Sequence, residues 1–412
     1  MEYDLVIVGA GVAGLFAAAN VPSGLKTLVL EKTDSPGKKL LLTGGGQCNL
    51  TNNELIKEFL KRYGTNGKRL RSVLFPFSNL HLIDYFKQSG ISVDSRSDNK
   101  VFPVSLKSSD VLDLLLQKSR ERGVMFKYNS SVIDISYQEE TTGTRKFIIM
   151  IGKERFISKN ILITTGGASY PQTGSDGSFI SCLERIGINI IPLRPALAPI
   201  FVTDYPYGDL SGLSFPNGTV KAVYADGTES ITTEGGLLFT HKGFSGPGVL
   251  KLSRYVKLGD KLIINYLPEK SADEFRMSLI NAAAGDKRQI STLLGTITGL
   301  PHSFLDCICT GSKIAKNEKA SRLSGHEMGI LAKRLTADIH EISGTGGFAT
   351  AMATVGGVDL DEVDLRTMES KRHPGLFFAG EVLDVDGDTG GYNIQFAYSS
   401  AMVAVRKIFS IK

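Results

Sequence analysis

Residues 3–14 read Tyr-Asp-Leu-Val-Ile-Val-Gly-Ala-Gly-Val-Ala-Gly, and this stretch decides the fold. The apolar run Tyr3–Val8 is typical of a buried strand in a parallel sheet. It leads directly into the pattern G-x-G-x-x-G at residues 9–14, and small residues then predict a helix from Val12 to about Asn20. Strand, glycine turn and helix in this order indicate a Rossmann-type dinucleotide-binding unit.

Each part of this unit has a physical reason. Gly9 makes the tight turn, Gly11 lets a pyrophosphate approach the main chain, and Gly14 lets the helix pack close to the sheet. The next predicted strand, Leu25–Leu30, ends in Glu31. A carboxylate there accepts hydrogen bonds from the adenosine ribose and repels a 2′-phosphate, so the pattern excludes NADP at this site.

Two later stretches favour FAD over NAD. Residues 160–167 (N-I-L-I-T-T-G-G) and 375–381 (G-L-F-F-A-G-E) each predict a buried strand that ends in glycine. The second is followed by a loop and an apolar helix that runs to the end of the chain. The chain therefore leaves the nucleotide-binding domain and returns to it, and FAD is long enough to need both parts.

The stretch T-G-G-G-Q-C-N-L-T-N at residues 43–52 follows the Glu31 strand. Three adjacent glycines cost up to ~1 kcal/mol each relative to alanine on ordering, so something must need a bare main chain there. We expect residues 44–46 to touch the ring end of FAD. A helix that starts near Gly390–Asn393 would turn its amides and partial positive charge toward the flavin and favour its reduction.

These segments supply the predicted cofactor-binding residues: Gly9, Gly11, Ala13, Gly14, Glu31, Lys32, Lys39, Thr43, Gly44, Gly45, Gly46, Asn49, Thr165, Gly166, Gly380, Glu381, Gly391, Tyr392, Asn393 and Ile394.

Neither candidate metal site meets its requirements. The carboxylates of Asp384–Asp388 resemble a calcium loop, but Thr389 stands where that loop needs glycine and Gln395 where it needs glutamate. The pair Cys307–Cys309 has no second pair of ligands at a usable spacing, which favours buried thiols. We predict no metal.

Composition indicates a globular protein of the cytoplasm. The chain has 412 residues, of which 42% are hydrophobic and 22% charged, enough for two or three domains. Its longest apolar run, Leu5–Ala19, is interrupted by glycines and preceded by acidic residues, which fits neither a membrane span nor a signal peptide. Four cysteines give no disulfide framework, consistent with a reducing compartment.

The net charge of +5 is concentrated in one stretch. Residues Lys57–Arg71 contain six basic residues and one acidic residue, Glu58, with Phe59 and Tyr63 between them. Basic residues interleaved with aromatic ones can bind a nucleic-acid backbone. A solvated helix and loop is the alternative, and the charge pattern alone leaves both open.

Five motifs together resemble the HI0933-like (YhiN) family of bacterial flavoproteins, also called aminoacetone-oxidase-like. They are G-A-G-V-A-G (9–14), T-G-G-G-Q-C-N-L-T-N (43–52), L-F-T-H-K-G-F-S-G-P (238–247), M-E-S-K (368–371) and F-F-A-G-E-V-L-D-V-D-G-D-T-G-G-Y-N-I-Q (377–395). The resemblance is collinear along the chain. It departs at Gln47 and Lys100, where the family commonly has arginine, and lysine lacks the bidentate binding of arginine.

The resemblance implies an α/β fold: a glutathione-reductase-type Rossmann FAD-binding domain interrupted by an inserted β-rich and helical domain. We place the FAD-binding domain at residues 1–192 and 344–412. The inserted domain takes residues 193–343, with short apolar runs and turns at 193–266 and mainly helices at 267–343. A second G-x-G-x-x-G is absent, so any NAD(P)H would bind transiently.

The resemblance implies two reactions, and a third alternative is not catalytic. They are reduction of uridine in ribosomal RNA to dihydrouridine, oxidation of a small primary amine by oxygen, and a flavin-bound redox or interaction protein. The first needs a proton donor, for which Cys48 and His241 are the candidates. A buried packing role for Cys48 and a structural role for His241 remain alternatives. The basic stretch favours the RNA substrate.

Overall fold

The computed structural model describes residues 2–139 and 145–410. Our predicted domain ranges also include residues 1, 140–144 and 411–412, which lie outside the described residues. The chain forms two compact units, one from Met1–Pro195 with Phe348–Lys412 and the other from Ala196–Gly347.

The described residues contain 22 strands. In chain order they are β1 Glu2–Val8, β2 Thr27–Leu30, β3 Thr51–Asn52, β4 Val93–Ser95, β5 Lys100–Pro103, β6 Met125–Lys127, β7 Asp134–Glu139, β8 Arg145–Ile151, β9 Glu154–Ile163, β10 Ile190–Ala196, β11 Ile200–Val202, β12 Ser214–Phe215, β13 Thr219–Val223, β14 Thr233–Glu234, β15 Leu237–Phe239, β16 Gly243–Ser245, β17 Lys261–Asn265, β18 Asp338–Thr345, β19 Ala353–Val358, β20 Val363–Asp364, β21 Glu369–Ser370 and β22 Leu376–Phe378.

The same part of the chain contains 13 α-helices. They are α1 Val12–Asn20, α2 Lys38–Leu42, α3 Ile56–Phe59, α4 Arg71–Leu74, α5 Asn79–Gln88, α6 Ser108–Glu121, α7 Ile180–Arg185, α8 Pro247–Leu252, α9 Ala272–Ala283, α10 Ile290–Thr298, α11 His302–Gly311, α12 Gly325–Thr336 and α13 Tyr392–Ile408. Short 3₁₀ turns lie at Thr43–Gly46, Gly64–Leu70, Pro171–Thr173, Gly208–Leu210, Ala320–Arg322, Leu360–Glu362 and Gly380–Val382.

The first unit is built on a sheet whose centre is parallel. Strands follow one another in the order β20, β21, β22, β9, β1, β2, β6, and the hairpin of β7 and β8 is attached to β9. The four central strands are β22, β9, β1 and β2. Their buried residues are almost all apolar, as is typical of a parallel sheet that is covered on both faces. The predicted strand–turn–helix unit is present, with β2 beginning at Thr27, two residues later than predicted.

Helices α1 and α13 pack against each other over this sheet. The two faces meet through aromatic rings, with the Phe16 and Tyr398 centroids 5.1 Å apart in an edge-to-face arrangement. Helix α13 is buried along most of its 17 residues. The end of the chain is therefore part of the core of the first unit, as the returning apolar segment predicts.

The second unit has an eight-stranded antiparallel-paired sheet and a group of helices. Its strands follow the order β12, β15, β16, β11, β18, β17, β13, β14, and helices α9–α12 come between β17 and β18 in sequence. Ser245 ends β16, and Gly246 with a φ of 94° caps α8 before Pro247. Only glycine adopts that backbone conformation readily.

A buried carboxylate organises the core of the second unit. Asp338 Oδ2 accepts hydrogen bonds from the hydroxyls of Tyr207 at 2.6 Å and Tyr266 at 3.0 Å, and His340 Nε2 lies 2.8 Å away. Arg334 Nε is 3.6 Å from the other oxygen. Burial among apolar side chains raises the pKa of both tyrosines, so their hydroxyls remain protonated donors.

Asp338→Ala is expected to destabilise the protein by about 3–5 kcal/mol, because it leaves buried donors without their acceptor. Tyr266→Phe removes one donor and leaves the carboxylate with its other partners, so it should cost only about 1 kcal/mol. Urea titration followed by circular dichroism measures both. Equal midpoints for Asp338→Ala and the wild type would show that the cluster does not stabilise the core.

Candidate functional site

The central strands of the first unit end at one edge of the sheet. The parallel registers pair Val8 with Leu30 and with Ile163, and Ile163 with Phe378. The residues that follow these strands are the predicted glycine loop, Glu31, the Thr164–Gly167 segment and Gly380. Ligands of open α/β sheets bind in the crevice outside the carboxyl ends of the strands.

The glycine loop has the close packing that its spacing predicts. A Cβ on Gly14 would lie 2.0 Å from the carbonyl oxygen of Gly9, so only glycine allows α1 to start this near the strand. A Cβ placed on Gly11, at the start of α1, would have no neighbour closer than 3.9 Å. The main chain there is open to a pyrophosphate at the positive end of the helix.

Glu31 is fixed in the position that a ribose-binding carboxylate needs. Its Oε2 accepts a hydrogen bond from Ala10 N at 2.7 Å, and its Oε1 accepts bonds of 2.8 Å from Thr33 N and Thr33 Oγ1. The side chain is almost buried but lines the cleft. These bonds orient the carboxylate and leave acceptor capacity for hydroxyl groups.

A cleft with about 1330 Å³ of empty space, including its open mouth, runs along this edge. It brings together most of the predicted cofactor-binding residues: Gly9, Gly11, Ala13, Glu31, Lys32, Lys39, Thr43, Thr165, Gly166, Gly380, Glu381, Asn393 and Ile394. Residues from the start, the middle and the end of the sequence therefore form one site. The bare glycine turn, the anchored carboxylate and the length of the cleft fit a dinucleotide such as FAD.

A charged network crosses the cleft. Lys39 Nζ lies 2.6 Å from Glu381 Oε2 and 2.8 Å from Ser169 Oγ. Ser169 Oγ and Thr354 N donate to Glu381 Oε1 at 2.9 Å and 2.8 Å. Lys39 and Glu381 belong to the two distant segments that were predicted to share one cofactor, and this ion pair joins them.

Three residues that bond to the charged side chains of the cleft are absent from the sequence-based prediction. Ser169 and Thr354 complete the network around Glu381, and Asp176 lies 2.5 Å from Lys32 Nζ. The turn-rich run G-S-D-G-S at residues 174–178 was a signal for a loop at the cleft, since such turns favour close approach to a ligand. Nothing local in the sequence identifies Thr354.

The triple-glycine loop extends from the cleft at Thr43. Gly44, Gly45 and Gly46 all have positive φ, at 58°, 66° and 87°, and Gly45 has open space where a side chain would stand. Asn49 connects this loop to the returning segment. The NH₂ group of its side chain donates to the carbonyls of Thr51 and Val101, and its side-chain oxygen accepts a hydrogen bond from Gly391 N at 3.1 Å.

Tyr392 stands at the start of α13, but its side chain takes part in a different group. Its hydroxyl donates to Glu54 Oε1 at 2.8 Å, and its ring packs edge-to-face on Phe59 with centroids 5.0 Å apart. Tyr63 donates to the Tyr392 carbonyl. Gly391 caps α13 with a φ of 96°. In the described part of the chain, neither Gly391 nor Tyr392 lines the cleft.

The two candidate proton donors lie in contrasting surroundings. Cys48 is fully buried with a positive φ of 62°, and burial raises the pKa of its thiol to about 12. This favours the packing role that the sequence left open. His241 is exposed at the turn between β15 and β16 in the second unit, and its ring has no hydrogen bond to any described residue.

The basic stretch Lys57–Arg71 is partly neutralised. Its ion pairs are Lys61 with Glu58, Arg62 with Glu54 and Arg69 with Asp361. The remaining cations, Lys57, Lys68 and Arg71, are exposed and have no ion pair with any residue in 2–139 or 145–410. The interleaved Phe59 and Tyr63 are buried in the core, so their rings are not available to a nucleic acid.

Within the described ranges, no group of three or more His, Cys, Asp or Glu side chains could hold a metal ion. Asp384, in the rejected calcium loop, instead accepts a hydrogen bond from Gly356 N at 2.9 Å. Over the same ranges no helix is both long and apolar enough to cross a membrane.

The family model for the HI0933-like protein Rossmann domain matches residues 3–407. Two relatives are named ribosomal RNA dihydrouridine synthase. The protein from Escherichia coli (strain K12) is 31% identical over 100% of this chain and 99% of its own. The protein from Haemophilus influenzae (strain ATCC 51907 / DSM 11121 / KW20 / Rd) is 32% identical over 98% of each chain.

A third relative, the 3-dehydro-bile acid delta(4,6)-reductase of Clostridium scindens (strain ATCC 35704 / DSM 5676 / VPI 13733 / 19), is 28% identical over 97% of each chain. Among solved structures, the 3-ketosteroid delta1-dehydrogenase from Sterolibacterium denitrificans superposes with a TM-score of 0.51 at 12% identity, over the whole of both chains. These findings confirm the predicted family, the Rossmann fold class and FAD as the cofactor.

Gly14→Ala is expected to yield protein without flavin or without a folded first unit, because the added methyl group would overlap the Gly9 carbonyl. The absorbance of bound flavin in the purified protein measures this. Gly329→Ala in α12 is the matched control, since its nearest contact is an ordinary 3.5 Å to a flexible arginine. A Gly14→Ala protein as yellow as the wild type would contradict the proposed close packing.

Proposed function

Because the chain belongs to the HI0933-like protein family, we propose that this FAD-dependent oxidoreductase reduces uridine in ribosomal RNA to dihydrouridine. The observation that carries the proposal is the similarity, along essentially the whole chain, to two proteins named for that reaction. Both relatives match the chain over nearly their full length, so the similarity includes the second unit as well as the nucleotide-binding one. The cytoplasm, where ribosomal RNA is found, is the proposed location.

The reaction adds a hydride and a proton across a carbon–carbon double bond that is conjugated to a carbonyl group. The two-electron chemistry of this reduction, with hydride from a transiently bound NAD(P)H, would be supplied by bound FAD. The residues that would hold it are the glycine loop, Glu31, Lys39, the Thr165–Gly166 turn and Glu381. Asn393 and Ile394, which line the cleft at the start of α13, would add main-chain amides and the positive end of a helix.

The charge distribution supports an RNA substrate. Lys57, Lys68 and Arg71 are exposed and could meet phosphates, although the Arg71 guanidinium also lies over the Phe75 ring, 4.9 Å from its centre. The stretch follows the triple-glycine loop in sequence. The other cations of the stretch are already engaged, so the contact would be modest and dependent on salt. A small amine would gain nothing from these cations, which makes amine oxidation the weaker alternative.

The bile-acid relative provides a second candidate reaction of the same chemical type. The relative named 3-dehydro-bile acid delta(4,6)-reductase is 28% identical to this chain along nearly its full length. The substrate would then be an apolar ring system in place of a nucleotide. The three exposed cations favour the nucleic acid.

The chain should restore dihydrouridine to the ribosomal RNA of an Escherichia coli strain that lacks its own ribosomal RNA dihydrouridine synthase. Mass spectrometry of the nucleosides measures it, and the Gly14→Ala variant is the negative control. A yellow, soluble protein that leaves the RNA without dihydrouridine would remove the proposal. Peroxide formed from simple amines would then support the oxidase, and inertness in both assays the redox-sensing protein.

We further propose that the thiol of Cys48 does not donate the proton for this reduction. Cys48→Ala should keep most of the rate, because the buried thiol with a pKa of about 12 serves packing.

Flavin absorbance checks that the variant retains its cofactor. A large loss of the rate of uridine reduction in flavin-replete Cys48→Ala would contradict the packing role.

A further inference from the structure

A second, smaller cavity lies beside the triple-glycine loop. It has about 440 Å³ of empty space and is lined by Asp94, Arg96, Phe102, Pro103, Val104 and Leu106. These residues belong to the three-stranded sheet of β3, β5 and β4 and to the loops that extend it. The wall at Val104 and Leu106 is apolar yet exposed, at 61% and 44% of each residue.

The floor of this cavity is a stacked pair of planar groups. The Arg96 guanidinium carbon lies 3.9 Å from the centre of the Phe102 ring, within the range of a cation–π contact. The Phe102 ring is almost buried. Its edge would lie 3.2 Å from a Cβ placed on Gly44, so the ring packs against the glycine loop. Arg96 itself is exposed.

The edge of the Arg96 guanidinium is hydrogen-bonded to a residue next to the triple-glycine loop. Its Nη2 donates to Gln47 Oε1 at 2.7 Å, and Gln47 directly follows the three glycines. The two acidic residues nearby are otherwise engaged: Asp98 pairs with Lys100 at 2.7 Å, and Asp94 Oδ1 accepts from Ser95 N. Within residues 2–139 and 145–410, Arg96 has no ion pair.

We propose that Arg96, backed by Phe102, is a stacking platform for a nucleobase that flanks the target uridine in single-stranded RNA. This inference rests on the proposed function. Guanidinium planes and aromatic rings are the surfaces on which proteins stack unpaired bases of RNA. One face of the guanidinium is on Phe102 and its edge is held by Gln47, so it is pre-oriented. Pro103, Val104 and Leu106 provide apolar walls, and the second carboxylate oxygen of Asp94, Oδ2, is an acceptor for N–H groups of the base.

The platform explains how an RNA could be held next to the glycine loop although the aromatic residues of the basic stretch are buried. Phosphate contacts of the exposed cations position the backbone without reading the bases. Stacking of the neighbouring base would fix the register of the target uridine relative to the loop. The two contributions are separable, because stacking needs a planar group and phosphate binding needs only charge.

The test compares Arg96→Lys with the wild type, since lysine keeps the charge and loses the plane. The probes are a short single-stranded RNA and the same sugar–phosphate chain without bases, each measured by fluorescence anisotropy. The wild type should prefer the base-containing chain, and Arg96→Lys should reduce this preference about tenfold with little change toward the abasic chain. Arg155→Lys is the matched control, because Arg155 is also an exposed arginine bonded to a glutamine, Gln138.

A second readout places the fluorescent base 2-aminopurine beside the target uridine. Its emission should fall on binding to the wild type and to Arg155→Lys, and should stay high with Arg96→Lys. Unchanged preference and quenching in Arg96→Lys would overturn the platform even if uridine is still reduced. Failure of the wild type to bind either chain or to reduce uridine would overturn the proposed function, and the platform with it.

Discussion

The contact between Gly14 and the carbonyl of Gly9 is the constraint on which the candidate site depends. With no side chain on Gly14, helix α1 starts close to the end of β1 and turns its unpaired amides to the edge of the sheet. The parallel registers bring the ends of β2, β9 and β22 to the same edge. Glu31, the Thr164–Gly167 turn and Gly380 take their positions from this geometry, and none of them could reach the cleft from an antiparallel arrangement.

The second requirement is that the chain end stays with the chain start. The Lys39–Glu381 ion pair, the contact of Asn49 with Gly391 and the hydrogen bond of 2.7 Å from Thr51 to Gln395 all join segments more than 300 residues apart. Gln395 is fully buried, so its amide must be satisfied within the protein. These polar contacts have specific geometry and therefore fix how the chain end is placed against the chain start. The packing of α13 on α1 buries the apolar surface that stabilises this arrangement.

The Rossmann unit could be predicted because its signal is local. Glycine spacing, a buried strand and a carboxylate at the end of the next strand are all visible within 31 residues, and β1 and α1 lie where the pattern places them. The direction of the Tyr392 side chain could not be predicted, because it depends on Glu54 and Phe59, far away in sequence. The burial of Phe59 and Tyr63 has the same origin. Local charge made that stretch resemble a surface, although the aromatic cluster is formed only in the folded chain.

We infer that one elongated cofactor occupies the cleft formed by the start, the middle and the end of the sequence. An experimental structure of the protein with FAD bound tests this inference most directly. We expect the adenosine ribose at Glu31, the pyrophosphate at Gly11 and the flavin ring between the triple-glycine loop and the start of α13. A flavin ring bound away from both of those segments, or a ribose that does not contact Glu31, would contradict it.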